Sequence, residues 1–386
     1  MAQTSPSPNT YSSYLPRIAA VGKNIASFTA YTLSIIPALL ALPVFVHPPR
    51  LSVVRELEAP VDRKGRPLGE VIHRKTEVDE GKGKFLMPNI DVCELIPKKK
   101  NPKILPFIPV HGYRSNKTGV RFLAQFAKFL CRRGVATAAF DNPGTGNSKG
   151  FLNTPKQTLR ALESVYLDLR SRVTKDGKKT QYKLAPVIGG FSLGSLAATY
   201  FAAKSNEPTS GLYLETPIID LEEYLAKEMG LGKFIAKSMM RIVKFKRDPE
   251  ENKIYNLMEL IPELDHVPIL ISYSPHDPVV KKEAIEKFVK ALKEHRQNKR
   301  IKTPVEVIVR ESDRHMGNFY KDPEDYMKRV VTFFRNNQRT FEPTLIERFK
   351  TAIGKFGTPE ITKVIEKRGK REMDKKSAKE RELANV

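Results

Sequence analysis

The distribution of apolar and polar positions divides the chain into four segments. Residues 1–24 are rich in Ser, Thr, Pro and Tyr, a composition typical of disorder. Residues 25–46 form an uncharged, mainly apolar run, and from about residue 51 to residue 340 short apolar stretches alternate with amphipathic ones. Residues 341–386 are highly charged. The pattern therefore predicts one folded domain over residues 51–340, with an extension on either side.

The alternation within residues 51–340 predicts an α/β domain, in which helices cover both faces of a mostly parallel sheet. It begins with antiparallel strands: Leu51–Leu57 and Leu68–Thr76 are expected to form a hairpin around Lys64–Pro67, and Asp91–Ile96 is a further strand. The later predicted strands are Ile104–Val110, Val135–Phe140, Leu184–Gly189, Gly211–Leu214, Pro268–Tyr273 and Val305–Val309. The predicted helices are Val120–Arg133, Thr158–Val173, Leu193–Lys204, Lys281–Glu294 and Pro323–Asn336.

The apolar run at residues 25–46 is long enough to cross a bilayer as a helix, although Pro37 and Pro43 disfavour a straight one. Three interpretations stay open: a membrane anchor, a signal peptide, and a targeting sequence or a helix docked on the domain. Basic residues flank the run on both sides, so the positive-inside rule assigns no orientation. Of these, we expect a membrane-associated protein. Its folded domain is expected on the cytosolic side, because a glycan on Asn116, in the Asn-Lys-Thr sequon, would crowd the oxyanion loop predicted below.

The net charge and the cysteine content limit the kinds of partner and metal site that the sequence predicts. The formal net charge is +24, which attracts phospholipid headgroups, nucleic acid or acidic proteins. No basic–aromatic RNA motif or zinc module accompanies the charge, so nucleic-acid binding is not expected. The two cysteines, Cys93 and Cys131, form no CxxC pair, zinc spacing or disulfide framework.

The strongest chemical signal is Gly190-Phe191-Ser192-Leu193-Gly194, which matches G-x-S-x-G between a predicted strand and a predicted helix. A serine on such a turn is lifted out of the sheet, with a helix N-terminus behind it. The alternative is an ordinary strand–helix turn. The context therefore predicts that Ser192 is a nucleophile.

A serine nucleophile needs a histidine to accept its proton and a carboxylate to orient that histidine. Asp277 follows the strand Pro268–Tyr273, and His315 follows the strand Val305–Val309. We assign Asp277 as the acid, with Asp220 as the alternative, and His315 as the base. Two other histidines are given no catalytic role: His276 is interpreted as structural and His295 as solvated on an exposed helix.

An acyl-transfer site also needs backbone N–H groups aimed at the developing oxyanion. The segment Val110-His111-Gly112-Tyr113 follows a strand and contains a glycine that can turn the backbone inward. The predicted donors are the N–H groups of Tyr113 and Leu193. His111 is expected to brace the loop by hydrogen bonding.

Together these residues resemble the α/β-hydrolase superfamily. The resemblance also rests on Asp141–Ser148, which looks like the family's D-x-x-G-x-G-x-S segment, and covers roughly residues 51–340. The nearest likeness is to the monoacylglycerol lipase, lysophospholipase and serine aminopeptidase-like branch. It implies that the interruption at about residues 220–264 is a lid, here apolar and basic, although a helix pair packed over the sheet edge is equally compatible. The basic tail is interpreted either as a membrane-binding amphipathic helix or as a helix packed on the domain surface.

The expected function is a serine hydrolase acting on a carboxylic ester, of monoacylglycerol or lysophospholipid type, without metal or organic cofactor. Peptidase, thioesterase and acyltransferase activities use the same triad and stay open. So does an inactive membrane-tethered interaction protein. The sequence leaves the headgroup and the oligomeric state unassigned.

Overall fold

The computed structural model describes residues 57–76, 90–98, 104–113, 115–117, 121–148, 154–171, 182, 184–205, 207–228, 230, 232–244 and 248–340. The predictions for residues 1–24, 25–46 and 341–386 lie outside these residues. Within the described ranges, no helix combines the length and the apolar character needed to cross a bilayer.

Eight strands form one sheet with the order β1-β2-β4-β3-β5-β6-β7-β8. Pairing is antiparallel between β1 and β2 and between β2 and β4, and parallel from β4 to β8. The strands are β1 (Gly69–Thr76), β2 (Ile90–Pro97), β3 (Leu105–Val110), β4 (Val135–Phe140), β5 (Val187–Phe191), β6 (Gly211–Glu215), β7 (Ile269–Tyr273) and β8 (Val305–Val309). The predicted fold, a mostly parallel sheet with helices, is confirmed.

The helices between the strands follow the predicted alternation. They are α1 (Arg121–Arg132), α2 (Pro155–Ser171), α3 (Gly194–Lys204), α4 (Leu221–Glu223), α5 (Gly232–Lys244), α6 (Pro249–Asn252), α7 (Lys282–Asn298), α8 (Asn318–Lys321) and α9 (Pro323–Asn336). A π-helical turn (Tyr224–Glu228) follows α4, and two 3-10 segments (Lys253–Tyr255 and Leu257–Glu263) precede β7.

The second strand of the predicted N-terminal hairpin is present as β1. β1 pairs with β2, from Gly69 opposite Pro97 to Thr76 opposite Ile90, and Leu57 lies outside any strand. The turn before β1 closes on itself because the Asp62 carboxylate accepts the N–H groups of Lys64 and Arg66, at 2.8 and 3.0 Å. The rest of the proposed first strand, residues 51–56, lies outside the described residues.

An aromatic cluster between the sheet and its helices anchors the strand that ends at Ser192. Phe191, at the end of β5, contacts Phe107 of β3 and Phe122 of α1, with ring centroids 6.4 and 5.5 Å apart. Gly189 makes room for this packing, since a Cβ there would lie 2.4 Å from the Phe107 ring. Packing thus fixes the position from which the chain turns into α3.

Candidate active site

Ser192 lies on a strained turn between β5 and α3. Its φ of 51° is in the left-handed region, which is unfavourable for a residue with a side chain. Neighbouring glycines permit the turn: a Cβ on Gly190 would lie 2.5 Å from the Ser195 Cα, and a Cβ on Gly194 would lie 2.1 Å from the Val110 carbonyl oxygen. The sequence motif therefore forms the predicted sharp turn.

Four hydrogen bonds hold the Ser192 main chain in this conformation. Its N–H donates to the Glu215 carbonyl at 3.0 Å. Its carbonyl accepts the Ser195 N–H at 3.0 Å, the Ser195 hydroxyl at 2.6 Å and the Ile218 N–H at 3.4 Å. Backbone strain persists only where surrounding contacts over-determine it, and here those contacts come from β6, α3 and the loop after β6.

His315 and Asp277 are brought together from two different strand ends. Nδ1 of His315 lies 3.0 Å from each carboxylate oxygen of Asp277. Asp277 also accepts the N–H groups of Val279 and Val280 on Oδ1, at 2.8 and 2.9 Å, and the Met316 N–H on Oδ2 at 3.4 Å. Because a carboxylate only accepts, Nδ1 of His315 carries the proton and Nε2 is left as the acceptor.

The surroundings of Asp277 favour its ionised form. Burial raises the pKa of this carboxyl, but the hydrogen bond and the charge of His315, with the two backbone N–H groups, outweigh burial and bring the pKa below its usual value. The Asp277 side chain is fully buried, whereas His315 is one-fifth exposed. The pair therefore presents a buried anion behind an accessible imidazole.

The loop after β3 lies directly over Ser192. A Cβ on Gly112 would lie 3.0 Å from both the Ser192 Cβ and the Phe191 carbonyl oxygen. Tyr113 follows in this loop and is partly exposed, while Leu193 follows Ser192 and is buried. Tyr113 thus belongs to the loop that contacts Ser192, and Leu193 belongs to the turn that carries Ser192.

His111 makes the bracing hydrogen bonds expected from the sequence. Its Nε2 accepts the Asn142 N–H at 2.9 Å, so Nδ1 carries the proton and donates to the Gly112 carbonyl at 2.9 Å. Burial lowers the pKa of His111, against the opposing charge of Asp141, so the ring stays neutral at physiological pH. His111 therefore fixes the loop by geometry rather than by charge.

A buried lysine that the sequence did not single out holds the other end of this loop. The Lys117 ammonium forms ion pairs with Asp141, at 2.6 Å, and with Asp91. The main-chain N–H of Lys117 also donates to the Asp141 carboxylate, at 2.7 Å. Burial lowers the pKa of Lys117, but the two carboxylates overcome this and raise the pKa above its usual value. Asp141 also accepts the Asn147 N–H, so the D-x-x-G-x-G-x-S turn and the loop above Ser192 share one ion cluster.

A second buried acid, also missed from the sequence, lies behind the site. Glu215, at the end of β6, accepts hydrogen bonds from the Tyr213 hydroxyl at 2.6 Å, from the Tyr326 hydroxyl, and from the Asn318 amide at 3.2 Å. Burial raises the pKa of Glu215 to about 7, although these tyrosines and the charge of His315 act in the opposite direction. A glutamate ending an otherwise apolar strand, Gly211-Leu-Tyr-Leu-Glu215, was the available signal.

The remaining sequence candidates lie in other roles. Asp220, the alternative acid, caps α4 by accepting the Glu223 N–H at 2.9 Å. His276 is exposed, and its N–H donates to the Ser274 hydroxyl at 3.1 Å. The prediction of a solvated His295 is wrong, because its Nε2 lies 2.8 Å from Asp265 and its side chain is mostly buried. That contact comes from the turn before β7, which helical periodicity does not reveal.

The segment expected to be a lid is helical and only partly apolar on its surface. Phe234 of α5 is 51% exposed, but Met239 and Met240 of the same helix, which would contribute to the expected apolar lid surface, are buried. A cavity of about 260 Å³ lies between the start of this segment and the start of α7. Its lining is half uncharged (Ile218, Ile219, Tyr224, Val280 and Ala284) and half charged (Asp220, Glu223, Lys227, Lys281 and Glu283). The cavity adjoins the site, because the Ile218 N–H donates to the Ser192 carbonyl and the Val280 N–H donates to the Asp277 carboxylate.

Among the described residues, no group of three or more His, Cys, Asp or Glu side chains is arranged to hold a metal ion. The site contains the partly exposed imidazole of His315, hydrogen-bonded to the buried carboxylate of Asp277, and Ser192 on a strained turn. These are the groups of nucleophilic acyl transfer.

Comparison with known proteins agrees with this fold. Residues 107–261, less than half of the chain, match the Hydrolase 4 family, described as serine aminopeptidase, S33. No curated protein sequence matches the chain.

Solved structures with the same fold include hydrolases of several kinds. An esterase from Pyrococcus furiosus aligns over 76% of this chain and 98% of its own, with 20% identity and a TM-score of 0.53. An acylaminoacyl peptidase from Pyrococcus horikoshii aligns over 72% of this chain and 44% of its own, with 16% identity and a TM-score of 0.50. Est1E from Butyrivibrio proteoclasticus aligns over 68% and 99%, with 16% identity and a TM-score of 0.50.

The fold is that of the α/β hydrolases, and the family match covers its central part, residues 107–261. Both findings agree with the resemblance that the sequence motifs indicated.

Proposed function

We propose that the protein is a serine hydrolase that cleaves a carboxylic ester of a lipid. Ser192 is the nucleophile, His315 the general base and acid, and Asp277 the carboxylate that orients His315. The N–H groups of Tyr113 and Leu193 bind the oxyanion. The observation that carries the proposal is the His315–Asp277 pair, whose geometry leaves Nε2 of His315 free of a proton.

The proposed reaction passes through an acyl-enzyme on Ser192. Nε2 of His315 takes the proton from the Ser192 hydroxyl as Oγ attacks the acyl carbonyl, and Asp277 stabilises the imidazolium. The tetrahedral oxyanion is held by the two N–H groups until the alcohol leaves with the proton from His315. Water, activated by His315, then releases the acyl group from Ser192. No step requires a metal or an organic cofactor.

Three features support a lipid as the substrate. Ile218 and Val280 supply apolar side chains to the part of the cavity next to the site, which suits an acyl chain, while charged side chains line half of the cavity. Phe234 is exposed on α5, and Lys233, Lys237 and Arg241 are exposed on the same helix. An exposed aromatic ring among basic side chains is typical of a surface that binds anionic lipid. We therefore propose membrane association, with the hydrolase domain on the cytosolic side.

The test begins with a fluorophosphonate probe, which reacts with activated serines. The parent protein should be labelled and Ser192→Ala should not, while Ser205→Ala, at the far end of α3, should be labelled like the parent. Equal labelling of Ser192→Ala and the parent would exclude Ser192 as nucleophile. Labelling of neither would favour an inactive interaction protein.

Substrate class is tested separately with p-nitrophenyl esters, monoacylglycerols and lysophospholipids. Hydrolysis of the lipid esters at a higher kcat/KM than p-nitrophenyl acetate supports the proposal. Sedimentation with anionic vesicles, with neutral vesicles and with an oligonucleotide tests the membrane surface, and binding to the oligonucleotide alone would contradict it. A peptidase is the second candidate, because the matched family is described as a serine aminopeptidase. Cleavage of aminoacyl p-nitroanilides without ester turnover would identify the protein as a peptidase.

A further inference from the structure

The buried carboxyl of Glu215 has no part in the mechanism above, yet it contacts both halves of the site. Through its main chain it accepts the Ser192 N–H at 3.0 Å. Through its side chain it accepts the amide of Asn318, three residues after His315, at 3.2 Å. A carboxyl group is costly to bury, so its presence here calls for a compensating role.

The partners of Glu215 come from four different elements and are themselves linked. The hydroxyls of Tyr213 on β6 and Tyr326 on α9 both bond to Oε2 and lie 2.5 Å from each other. Tyr326 and Asn318 both bond to the Ser272 hydroxyl on β7, at 2.9 and 3.0 Å. Such a network fixes the relative positions of β6, β7, α8 and α9 at the end of the sheet where His315 lies.

Backbone strain is concentrated around the same network. Of the four non-glycine residues with positive φ in the described part of the chain, three flank it: Ser192 at 51°, Thr216 at 45° and Met316 at 56°. The fourth, Arg300, lies between α7 and β8, away from the network. Strain of this kind is held by surrounding contacts and occurs preferentially at functional sites.

We propose that Glu215 is a positioning residue for His315 and Ser192: its hydrogen bonds hold the two segments in place, and its ionised form favours the imidazolium that develops on His315. The titratable groups that face Glu215 are Tyr213, Tyr326 and His315, and burial raises the pKa of both tyrosines well above its usual value. Because electrostatic coupling is reciprocal, the charge of Glu215 acts on His315 as the charge of His315 acts on Glu215. The kinetic part of this inference rests on the proposed function.

The experiment is an NMR titration of the His315 ring in the parent and in Glu215→Gln, with signals assigned by comparison with His315→Asn. The titration midpoint should fall by about 0.5–1 pH unit in Glu215→Gln, because a negative charge near the ring is lost. Glu94→Gln is the matched control: Glu94 is also fully buried and also accepts a tyrosine hydroxyl, that of Tyr182, but it lies on β2. The His315 titration midpoint in Glu94→Gln should equal that in the parent. An unchanged midpoint in Glu215→Gln would overturn the electrostatic role.

Activity gives the second readout. With an ester substrate, kcat of Glu215→Gln should fall about tenfold with KM within a factor of two, since the interaction acts on the charge formed in the transition state. Unchanged kcat would overturn the proposal. If Glu215→Gln does not fold, Tyr326→Phe, which removes one donor to Glu215, should lower the His315 midpoint in the same direction, and no change would count against it. Absence of fluorophosphonate labelling in the parent would refute the hydrolase proposal while leaving the NMR titration interpretable.

Discussion

Nδ1 of His315 lies equally close, at 3.0 Å, to both oxygens of the Asp277 carboxylate. In Asp277→Asn, the amide nitrogen can donate to Nδ1 of His315, which places the ring proton on Nε2. A protonated Nε2 cannot accept the proton of Ser192. We expect kcat for an ester substrate to fall by about 10²–10⁴, with little change in KM.

The chain contains a matched control for this substitution. His295 and Asp265 form a second histidine–aspartate pair, at 2.8 Å, on α7 and the turn before β7. Asp265→Asn should therefore leave kcat at the parental value, as measured by steady-state kinetics on folded protein. Equal losses in both variants would mean that Asp277 acts on stability and has no role in the orientation of His315.

Gly112 tests how closely the oxyanion loop approaches the serine. In Gly112→Ala the added Cβ would meet the Phe191 carbonyl oxygen and the Ser192 Cβ at 3.0 Å, so we expect the loop to move from the serine by a few tenths of an ångström. A displaced N–H donor typically costs about 10²-fold or more in kcat. We expect such a loss with the thermal midpoint lowered by only a few degrees.

The control for Gly112→Ala is Gly211→Ala at the start of β6. There the nearest atoms to a Cβ are the Phe333 ring and the Pro268 carbonyl oxygen, both at 3.3 Å, so some tightening is expected but no movement of the loop. Gly211→Ala should keep parental kcat/KM. Full activity in Gly112→Ala would exclude the loop as the source of an oxyanion donor.

Much of this site could be predicted from the sequence because its signals are local. Ser192, Asp277 and His315 each follow an apolar stretch that becomes a parallel strand, and carboxyl ends of parallel strands meet at one edge of a sheet. The bounds of β4 and β8 were predicted to the residue. Strand β5, however, was predicted as Leu184–Gly189 and is found as Val187–Phe191, because Gly190 and Phe191 continue the parallel pairing with β6.

The supporting residues could not be predicted because their partners are distant in the chain. In the sequence, Lys117 looks like a solvated lysine within the Asn-Lys-Thr sequon. Its burial depends on Asp91, in β2, and on Asp141, directly after β4. Glu215 reads as a polar residue ending a strand, and its environment depends on Tyr326, 111 residues away. Pairing of buried charges is a tertiary property, which no local pattern encodes.

Lys117 provides a test of that buried pairing. Lys117→Met removes the ammonium and leaves Asp141, which is fully buried, without its charged partner. Breaking a buried pair in this way typically lowers the free energy of unfolding by about 3–5 kcal/mol. In Lys117→Met/Asp141→Asn the uncompensated charge is removed as well, so part of the loss should be recovered. Urea denaturation measures both, and an unaltered free energy of unfolding in Lys117→Met would contradict the buried ion cluster.

The protonation of Glu215 predicts how stability changes with pH. Burial raises its pKa to about 7 in the folded protein, whereas the unfolded chain has a glutamate pKa of about 4.3. The folded state therefore binds the proton more tightly, and the stability that this contributes is fully present below pH 4.3 and is lost as the pH rises through 7. Glu215→Gln cannot lose this proton. Its free energy of unfolding, taken relative to the parent, should increase by at least about 1 kcal/mol between pH 5 and pH 8, because one pKa unit corresponds to about 1.4 kcal/mol. Urea denaturation of both proteins at these pH values measures the difference, in which groups that titrate identically cancel. A difference that stays constant with pH would show that Glu215 titrates alike in the folded and unfolded chains.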